Sequence, residues 1–133
     1  MIDLKYVVVL ADDDKWLLDL YGEKLRLEGF AVYTANNGND AYDLVLKYKP
    51  NLVLSDVVMP GGDGFGLLKK IRKNPELNKL LVINLTNLSN NSDMEELEKL
   101  GSNGYLVKAD FTPTQVVTKI RQMIEKIDNK GKK

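Results

Sequence analysis

Five short apolar runs alternate with amphipathic segments along the chain, and this alternation limits the architectures it can adopt. The runs are Tyr6–Ala11, Ala31–Tyr33, Leu52–Leu54, Leu80–Leu85 and Tyr105–Val107. They lack a two-residue alternation, which is typical of parallel strands covered on both faces. Segments with helical spacing follow them: Lys15–Glu28, Asp40–Lys49, Phe65–Lys73, Asp93–Leu100 and Pro113–Ile127. The pattern predicts an open, doubly wound α/β sheet with helices on both faces.

Length and composition exclude several classes of function. A chain of 133 residues predicts one domain, placed at residues 1–127, and a polar tail at 128–133 that we expect to be disordered. The 19 basic and 19 acidic residues balance, so no net charge favours direct binding to nucleic acid or anionic lipid. The absence of Cys and His excludes thiolate nucleophiles and the Ser-His-Asp triad. No apolar stretch reaches the roughly 18 residues of a membrane span and no signal peptide precedes the first run, so we expect a cytoplasmic protein.

Polar residues stand where the predicted strands end. Asp12, Asp13 and Asp14 follow the first run, Asp56 follows the third, and Thr86 and Lys108 follow the fourth and fifth. Because the carboxyl ends of strands in such a sheet border one crevice, we expect these side chains to lie together.

The acidic residues of this crevice predict a cation site. Two like charges about 4 Å apart near a protein surface repel by about 4 kcal/mol, so a cation would relieve the cluster. The carboxylates of Asp12, Asp13 and Asp56 are hard oxygen ligands, which suit Mg²⁺ or Mn²⁺. Lys108 adds a positive charge and Thr86 a hydroxyl, which completes the groups needed to stabilise a transferring phosphoryl group. Aspartate is also an established covalent phosphoryl acceptor.

Some of these residues have simpler interpretations. Asp14 is interpreted as the N-cap of the first helix, because Asp is favoured there. Asp63 with Gly64 is interpreted as turn chemistry after Met59-Pro60-Gly61-Gly62. Taken alone, Thr86 or Lys108 would be an ordinary polar residue at a strand end, so only the expected proximity to Asp56 assigns them to the site.

The segments VVVLADDDKW, LVLSDVVMPGGDG, LLVINLTN and GYLVKADFTP together resemble the receiver domains of two-component response regulators, the CheY-like family. The resemblance extends from about Lys5 to about Ile127. It implies a flavodoxin-like (βα)5 fold with a parallel five-stranded sheet in the order 2-1-3-4-5. It also implies that Asp56 is the phosphoacceptor. Asp12 and Asp13 would be the acidic pair of a Mg²⁺ site, with Asp13, Asp56 and the backbone carbonyl of Val58 as direct ligands.

The resemblance further implies a signalling switch in a phosphorelay. Thr86 and Lys108 would contact the phosphoryl oxygens, and Tyr105 would change rotamer together with the Thr86–Asn91 loop and the fourth helix. Because the chain has no His, a histidine kinase or histidine phosphotransferase would donate the phosphoryl group in trans. The chain would catalyse only its own phosphorylation and slow dephosphorylation, so it is not a turnover enzyme. It would act on an unidentified downstream protein, as a monomer or as a phosphorylation-induced dimer, either alone or as a fragment of a larger regulator.

Two departures from the family pattern leave an alternative open. Ala109 follows Lys108 where the family usually has Pro, and a cis bond before Ala would cost about 3–4 kcal/mol. Asn87 replaces the usual small residue after Thr86. The alternative is a receiver-like regulator that acts by contact alone and is not phosphorylated. Two other classes are disfavoured: a haloacid-dehalogenase-type phosphatase needs a second Asp where this chain has Val58, and a flavodoxin-like cofactor binder needs a phosphate loop where three carboxylates stand.

The first predicted helix has two apolar arcs. One arc faces the core and comprises Leu17, Leu18, Tyr21 and Leu25; the other comprises Trp16, Leu20 and Leu27. The second arc is explained either by packing against the fifth helix or by docking of a histidine-bearing partner.

Overall fold

The computed structural model describes residues 6–87 and 91–131, with the side chains of 128–131 left undescribed. The strands are β1 (Val7–Ala11), β2 (Ala31–Ala35), β3 (Leu52–Ser55), β4 (Leu81–Thr86) and β5 (Gly104–Val107). The helices are α1 (Lys15–Leu27), α2 (Gly38–Tyr48), α3 (Gly64–Lys73), α4 (Asn91–Lys99) and α5 (Pro113–Gly131). Each predicted strand and helix is therefore confirmed in its place along the chain.

The strands form one parallel sheet in the order β2-β1-β3-β4-β5, as predicted. One face of the sheet carries α1 and α5, whose buried residues include Leu25 and Ile120. The other face carries α2, α3 and α4, whose buried residues include Val45, Leu68 and Leu97. The side chains of the three central strands, β1, β3 and β4, are buried on both faces, which explains why their sequences are apolar without alternation.

The ends of the helices depend on local chemistry. The Asp14 carboxylate accepts the backbone N–H groups of Trp16, at 3.0 Å, and Leu17, at 3.3 Å, so the predicted N-cap of α1 is confirmed. Helix α5 runs to Gly131, beyond the predicted helix end at Ile127. It therefore includes four residues of the segment that we expected to be a disordered tail.

Helix α1 leaves part of its second apolar arc uncovered. It packs against α5, where Glu28 and Arg121 form an ion pair at 3.6 Å. Trp16 and Leu27 nevertheless remain 70% and 78% exposed, and Leu20 is half-buried. Packing against α5 therefore does not account for the exposed part of this arc.

None of the helices in the described part of the chain is long and apolar enough to cross a membrane.

Candidate functional site

The sheet register brings the acidic residues of two strands to the same level. Ala11 at the end of β1 pairs with Ser55 at the end of β3, so Asp12 and Asp56 leave neighbouring strands side by side. The backbone N–H of Asp56 donates to the Ala11 carbonyl at 2.8 Å, which continues the pairing one step beyond the strands. Asp12 and Asp56 are both buried, because the parallel sheet and its helices enclose the strand ends.

Lys108 joins these two carboxylates. Its ammonium nitrogen lies 2.7 Å from Asp12 Oδ2 and 3.0 Å from Asp56 Oδ2. The residue follows β5 and opens a short 3-10 turn, Lys108–Asp110. No peptide bond in the described segments is cis, so the Lys108–Ala109 bond is trans. The substitution of Ala109 for the family's usual proline therefore does not prevent Lys108 from reaching the acidic residues.

The carboxylates of Asp12, Asp13 and Asp56 offer oxygens that all lie within 4.8 Å of one another. The backbone fixes two of these side chains: Asp12 Oδ1 accepts the Asp14 N–H at 2.9 Å, and Asp56 Oδ1 accepts the Val57 N–H at 2.7 Å. Asp13 is exposed and opens the cluster to solvent.

This cluster suits a small divalent cation. Three carboxylates against the single Lys108 ammonium leave an excess of two negative charges. The donor set is entirely oxygen, which is the chemistry that Mg²⁺ prefers. Asp12, Asp13 and Asp56 are therefore the residues that would hold it. The Val58 carbonyl, the other ligand implied by the family resemblance, remains a prediction.

The protonation equilibria of the site reflect burial opposed by charge pairing. Burial raises the pKa of Asp56 above its usual value, although the Lys108 ammonium acts in the opposite direction. Burial alone would lower the pKa of Lys108, but its hydrogen bond to Asp12 and the charge of Asp56 raise the pKa overall. Burial likewise raises the pKa of Tyr21, a core residue of α1 near Lys108 and Asp12. The pairing therefore keeps Lys108 charged. Ionisation of Asp56, in contrast, lowers the stability of the folded protein.

The residues predicted to form the switch lie on the neighbouring strands β4 and β5 and directly after β4. Thr86 is the last residue of β4 and is buried. Tyr105, on β5, is 42% exposed, and Asn87 is exposed. The predicted switch loop Thr86–Asn91 includes residues 88–90, which lie outside the described residues.

The loop after Asp56 is supported by contacts that no motif in the sequence indicates. The Ser55 hydroxyl donates to the Asp56 backbone carbonyl at 2.7 Å. A side chain at Gly64 would place its Cβ within 2.8 Å of the Val57 Cα and closer still to the Asp56 carbonyl oxygen. Asp63, interpreted from sequence as turn chemistry, caps α3 by accepting the Gly66 N–H at 2.8 Å. Because Gly64 is the first residue of α3, its missing side chain is required by this close approach and not by the turn that the sequence suggested.

The same loop rests on the N-terminus of α2. The Gly38 N–H donates to the Gly62 carbonyl at 2.6 Å, and Asn39 Nδ2 donates to the Gly61 carbonyl at 3.1 Å. Lys70 of α3 in turn donates to Asn39 Oδ1 at 3.0 Å. The β3–α3 loop is therefore held from α2 and α3 as well as from its own ends.

These features define a class of protein: a five-stranded parallel α/β domain whose lysine-bridged acidic crevice lies at the carboxyl edge of the sheet. The family model of the response regulator receiver domain matches residues 8–121. The chain belongs to this family, as the resemblance in its sequence implied.

Known relatives agree with this assignment. The chain is 36% identical over 121 residues to the probable transcriptional regulator ycf29 of Pyropia yezoensis, covering 91% of this chain and 54% of that protein. It therefore spans about half the length of the curated relatives it matches. Among solved structures, a LuxR-family DNA-binding response regulator from Staphylococcus aureus matches with a TM-score of 0.81 and 28% identity, covering 90% of this chain and 98% of that one. The chemotaxis protein CheY4 of Vibrio cholerae matches with a TM-score of 0.82 and 26% identity, covering 88% and 97%.

Proposed function

We propose that this domain is a phosphorylation-dependent switch of a two-component phosphorelay, with Asp56 as the phosphoacceptor and Mg²⁺ as the cofactor. The observation that carries the proposal is the position of Lys108, whose ammonium touches both Asp12 and Asp56 in a cluster that also includes the Asp13 carboxylate. Such a group stabilises negative charge that develops on a phosphoryl group in transit. The proposed location is the cytoplasm.

The proposed reaction begins with a phosphohistidine on a histidine kinase or a histidine phosphotransferase. A carboxylate oxygen of Asp56 attacks the phosphorus in line, so an O–P bond forms as the P–N bond breaks. The electron pair of the P–N bond passes to the donor imidazole, which takes up a proton. Bound Mg²⁺ would neutralise charge on the phosphoryl oxygens. Lys108 and the backbone N–H of Val57 orient the Asp56 carboxylate.

The consequence of phosphorylation is a change in binding. The added charge would draw Thr86 and Lys108 towards the phosphoryl oxygens and bias Tyr105 and α4. Helix α4 suits this role because it is anchored weakly. In the described part of the chain, Leu97 is the residue of this helix that is buried in the core. The output is contact with a downstream protein, as a monomer or as a phosphorylation-induced dimer, and not the turnover of a substrate.

Intact mass spectrometry after incubation with acetyl phosphate and Mg²⁺ tests the proposal. We expect one added phosphoryl group in the wild type and none in Asp56→Asn or after chelation of Mg²⁺. Asp13→Asn should reduce labelling strongly, whereas Asp14→Asn, which keeps a capping side chain outside the cluster, should label normally. An unlabelled wild type that still binds Mg²⁺ would favour the contact-only regulator.

We further propose that the second apolar arc of α1, with exposed Trp16 and Leu27 and half-buried Leu20, receives the phosphodonor protein. Trp16→Ala is expected to slow transfer from a phosphorylated histidine phosphotransferase about tenfold or more, because exposed aromatic residues often dominate binding. Labelling by acetyl phosphate, which needs no protein surface, should stay unchanged. Leu46→Ala is the matched control, since Leu46 is also an exposed apolar residue but lies on α2. Equal loss with both donors would contradict the docking role.

A further inference from the structure

Asn84 is a buried polar residue in the middle of an otherwise apolar strand. It is 0% exposed and lies between Ile83 and Leu85, which are both core residues. Because side chains alternate along a strand, Asn84 shares a face of the sheet with Val82, on the side covered by α2, α3 and α4. An amide at such a position is costly unless it is hydrogen-bonded, so its partners indicate why it is there.

The partners of Asn84 lie on opposite sides of β4. Its amide nitrogen donates to the Ser55 backbone carbonyl at 3.5 Å, and its amide oxygen accepts the Ser102 hydroxyl at 2.8 Å. Ser55 precedes Asp56, and the Ser55 hydroxyl holds the Asp56 carbonyl at 2.7 Å. Ser102 lies in the turn between α4 and β5, ahead of Tyr105. Polar contacts therefore connect the backbone of Asp56 to this turn through the core.

The Ser102 hydroxyl has two competing acceptors at short distance and a third, the Val82 carbonyl, at 3.5 Å. Its oxygen lies 2.8 Å from both Asn84 Oδ1 and the Gly104 carbonyl, yet a hydroxyl carries a single proton. The contact from Asn84 to Ser55 is long compared with the usual range of about 2.7–3.2 Å for an N–H donor. A shift of the β3 end that draws the Asn84 amide towards Ser55 would strengthen this bond and move the amide oxygen away from Ser102. The hydroxyl proton would then favour the Gly104 carbonyl.

We propose that Asn84 is a positioning residue that couples the Asp56 end of β3 to the α4–β5 turn through Ser102. This coupling differs from the proposed contact of Thr86 with the phosphoryl group, because it runs through the buried contacts of Asn84 with Ser55 and Ser102. Register supports the assignment: Asn84 pairs with Ser55 on one side and with Tyr105 on the other. The inference rests on the proposed role of Asp56, since that residue is where the signal would originate.

A mutant cycle followed by NMR tests this coupling without any phosphorylation. Asp56→Asn changes the charge at the β3 end, and the resulting chemical-shift change of the Tyr105 backbone amide is the reporter. The cycle repeats this comparison in the Asn84→Leu background, where a side chain of similar size makes no hydrogen bonds. The Ser102→Ala background is the second test, in case Asn84→Leu fails to fold. Val82→Ala is the matched control, because it perturbs the same strand and face but removes no polar group; the Val82 backbone carbonyl, which lies 3.5 Å from the Ser102 hydroxyl, is retained.

We expect the Tyr105 amide response to fall to about half or less of its wild-type size in the backgrounds lacking the Asn84 or Ser102 contacts, and to persist in Val82→Ala. A response above that level in both folded polar-contact variants would overturn the inference, as would an equal loss in Val82→Ala. The chemical-shift measurements do not depend on labelling by acetyl phosphate. The coupling can therefore fail while Asp56 still accepts a phosphoryl group, and the reverse outcome is equally distinguishable.

Discussion

Replacing Lys108 with Met is expected to lower the free energy of unfolding by about 3–5 kcal/mol at pH 7, because removing one partner of a buried ion pair leaves its charge uncompensated. Asp12 and Asp56 would then face each other in the core without the ammonium that touches both. Met retains most of the aliphatic length of Lys, so the loss would report charge and not packing. Urea unfolding of the two proteins in the absence of divalent cations measures the difference.

The dependence of this loss on pH follows from the direction of the pKa shifts. Burial raises the pKa of Asp56 above 3.8, so ionisation costs stability as the pH rises from that value through the folded-state pKa. This decrease should be larger in Lys108→Met, because the compensating charge is gone. Lys108 has a raised pKa, so while its carboxylate partners are ionised its contribution is fully present below pH 10.5, and it is lost as the pH rises through the folded-state pKa. The free energy of unfolding of Lys108→Met should therefore approach that of the wild type in acid. At alkaline pH, Lys108→Met should lack the decrease that deprotonation of Lys108 causes in the wild type.

Two comparisons separate this effect from a general effect of removing a lysine. Lys15→Met removes an exposed ion pair with Asp19, which is 3.2 Å long, and should change stability by less than about 1 kcal/mol. Millimolar Mg²⁺ should stabilise Lys108→Met more than the wild type, since the cation replaces the missing positive charge in the cluster. A loss as small as that of Lys15→Met would show that the carboxylates do not depend on Lys108.

The position of the site could be predicted because it follows from topology. Parallel strands with carboxyl ends at one edge bring Asp12, Asp56 and Lys108 together, although 96 residues separate the first from the last. The Ser55–Asn84–Ser102 contacts could not be predicted in the same way. Asn84 lies within a run that is otherwise apolar, and its partners become neighbours only through the register of β3, β4 and the α4–β5 turn.

The observed geometry also bears on the alternative functions. Val58 occupies the position where a phosphatase of the haloacid-dehalogenase kind would need its second carboxylate, and its side chain is 60% exposed and apolar. At the end of β1, where a flavodoxin-like cofactor binder would need a phosphate loop, Asp12 and Asp14 instead form hydrogen bonds that fix the start of α1. The crevice therefore offers negative charge to a cation and, without a bound cation, repels a phosphate ester.

Gly64→Ala is expected to destabilise the domain by about 3 kcal/mol, because the new methyl group would overlap the Asp56 carbonyl oxygen and crowd the Val57 Cα at 2.8 Å. These atoms belong to the backbone, so a side-chain rotation cannot relieve the overlap. The strand end must move, and Asp56 moves with it. Acetyl phosphate labelling should consequently slow in the fraction that remains folded.

Gly66→Ala, in the same helix, is expected to have the opposite effect on stability. A methyl group there would lie 3.5 Å from the Asp63 carboxylate, which is an ordinary contact. Because alanine costs less backbone entropy than glycine in a helix, this variant should gain about 0.5–1 kcal/mol and label normally. Urea unfolding and acetyl phosphate labelling of both variants would thus separate the effect of helix propensity from the effect of the tight contact between residue 64 and the β3–α3 backbone. If Gly64→Ala were neutral or stabilising, the β3–α3 loop would be free to shift, and the tight backbone contact would not be what holds Asp56 in place.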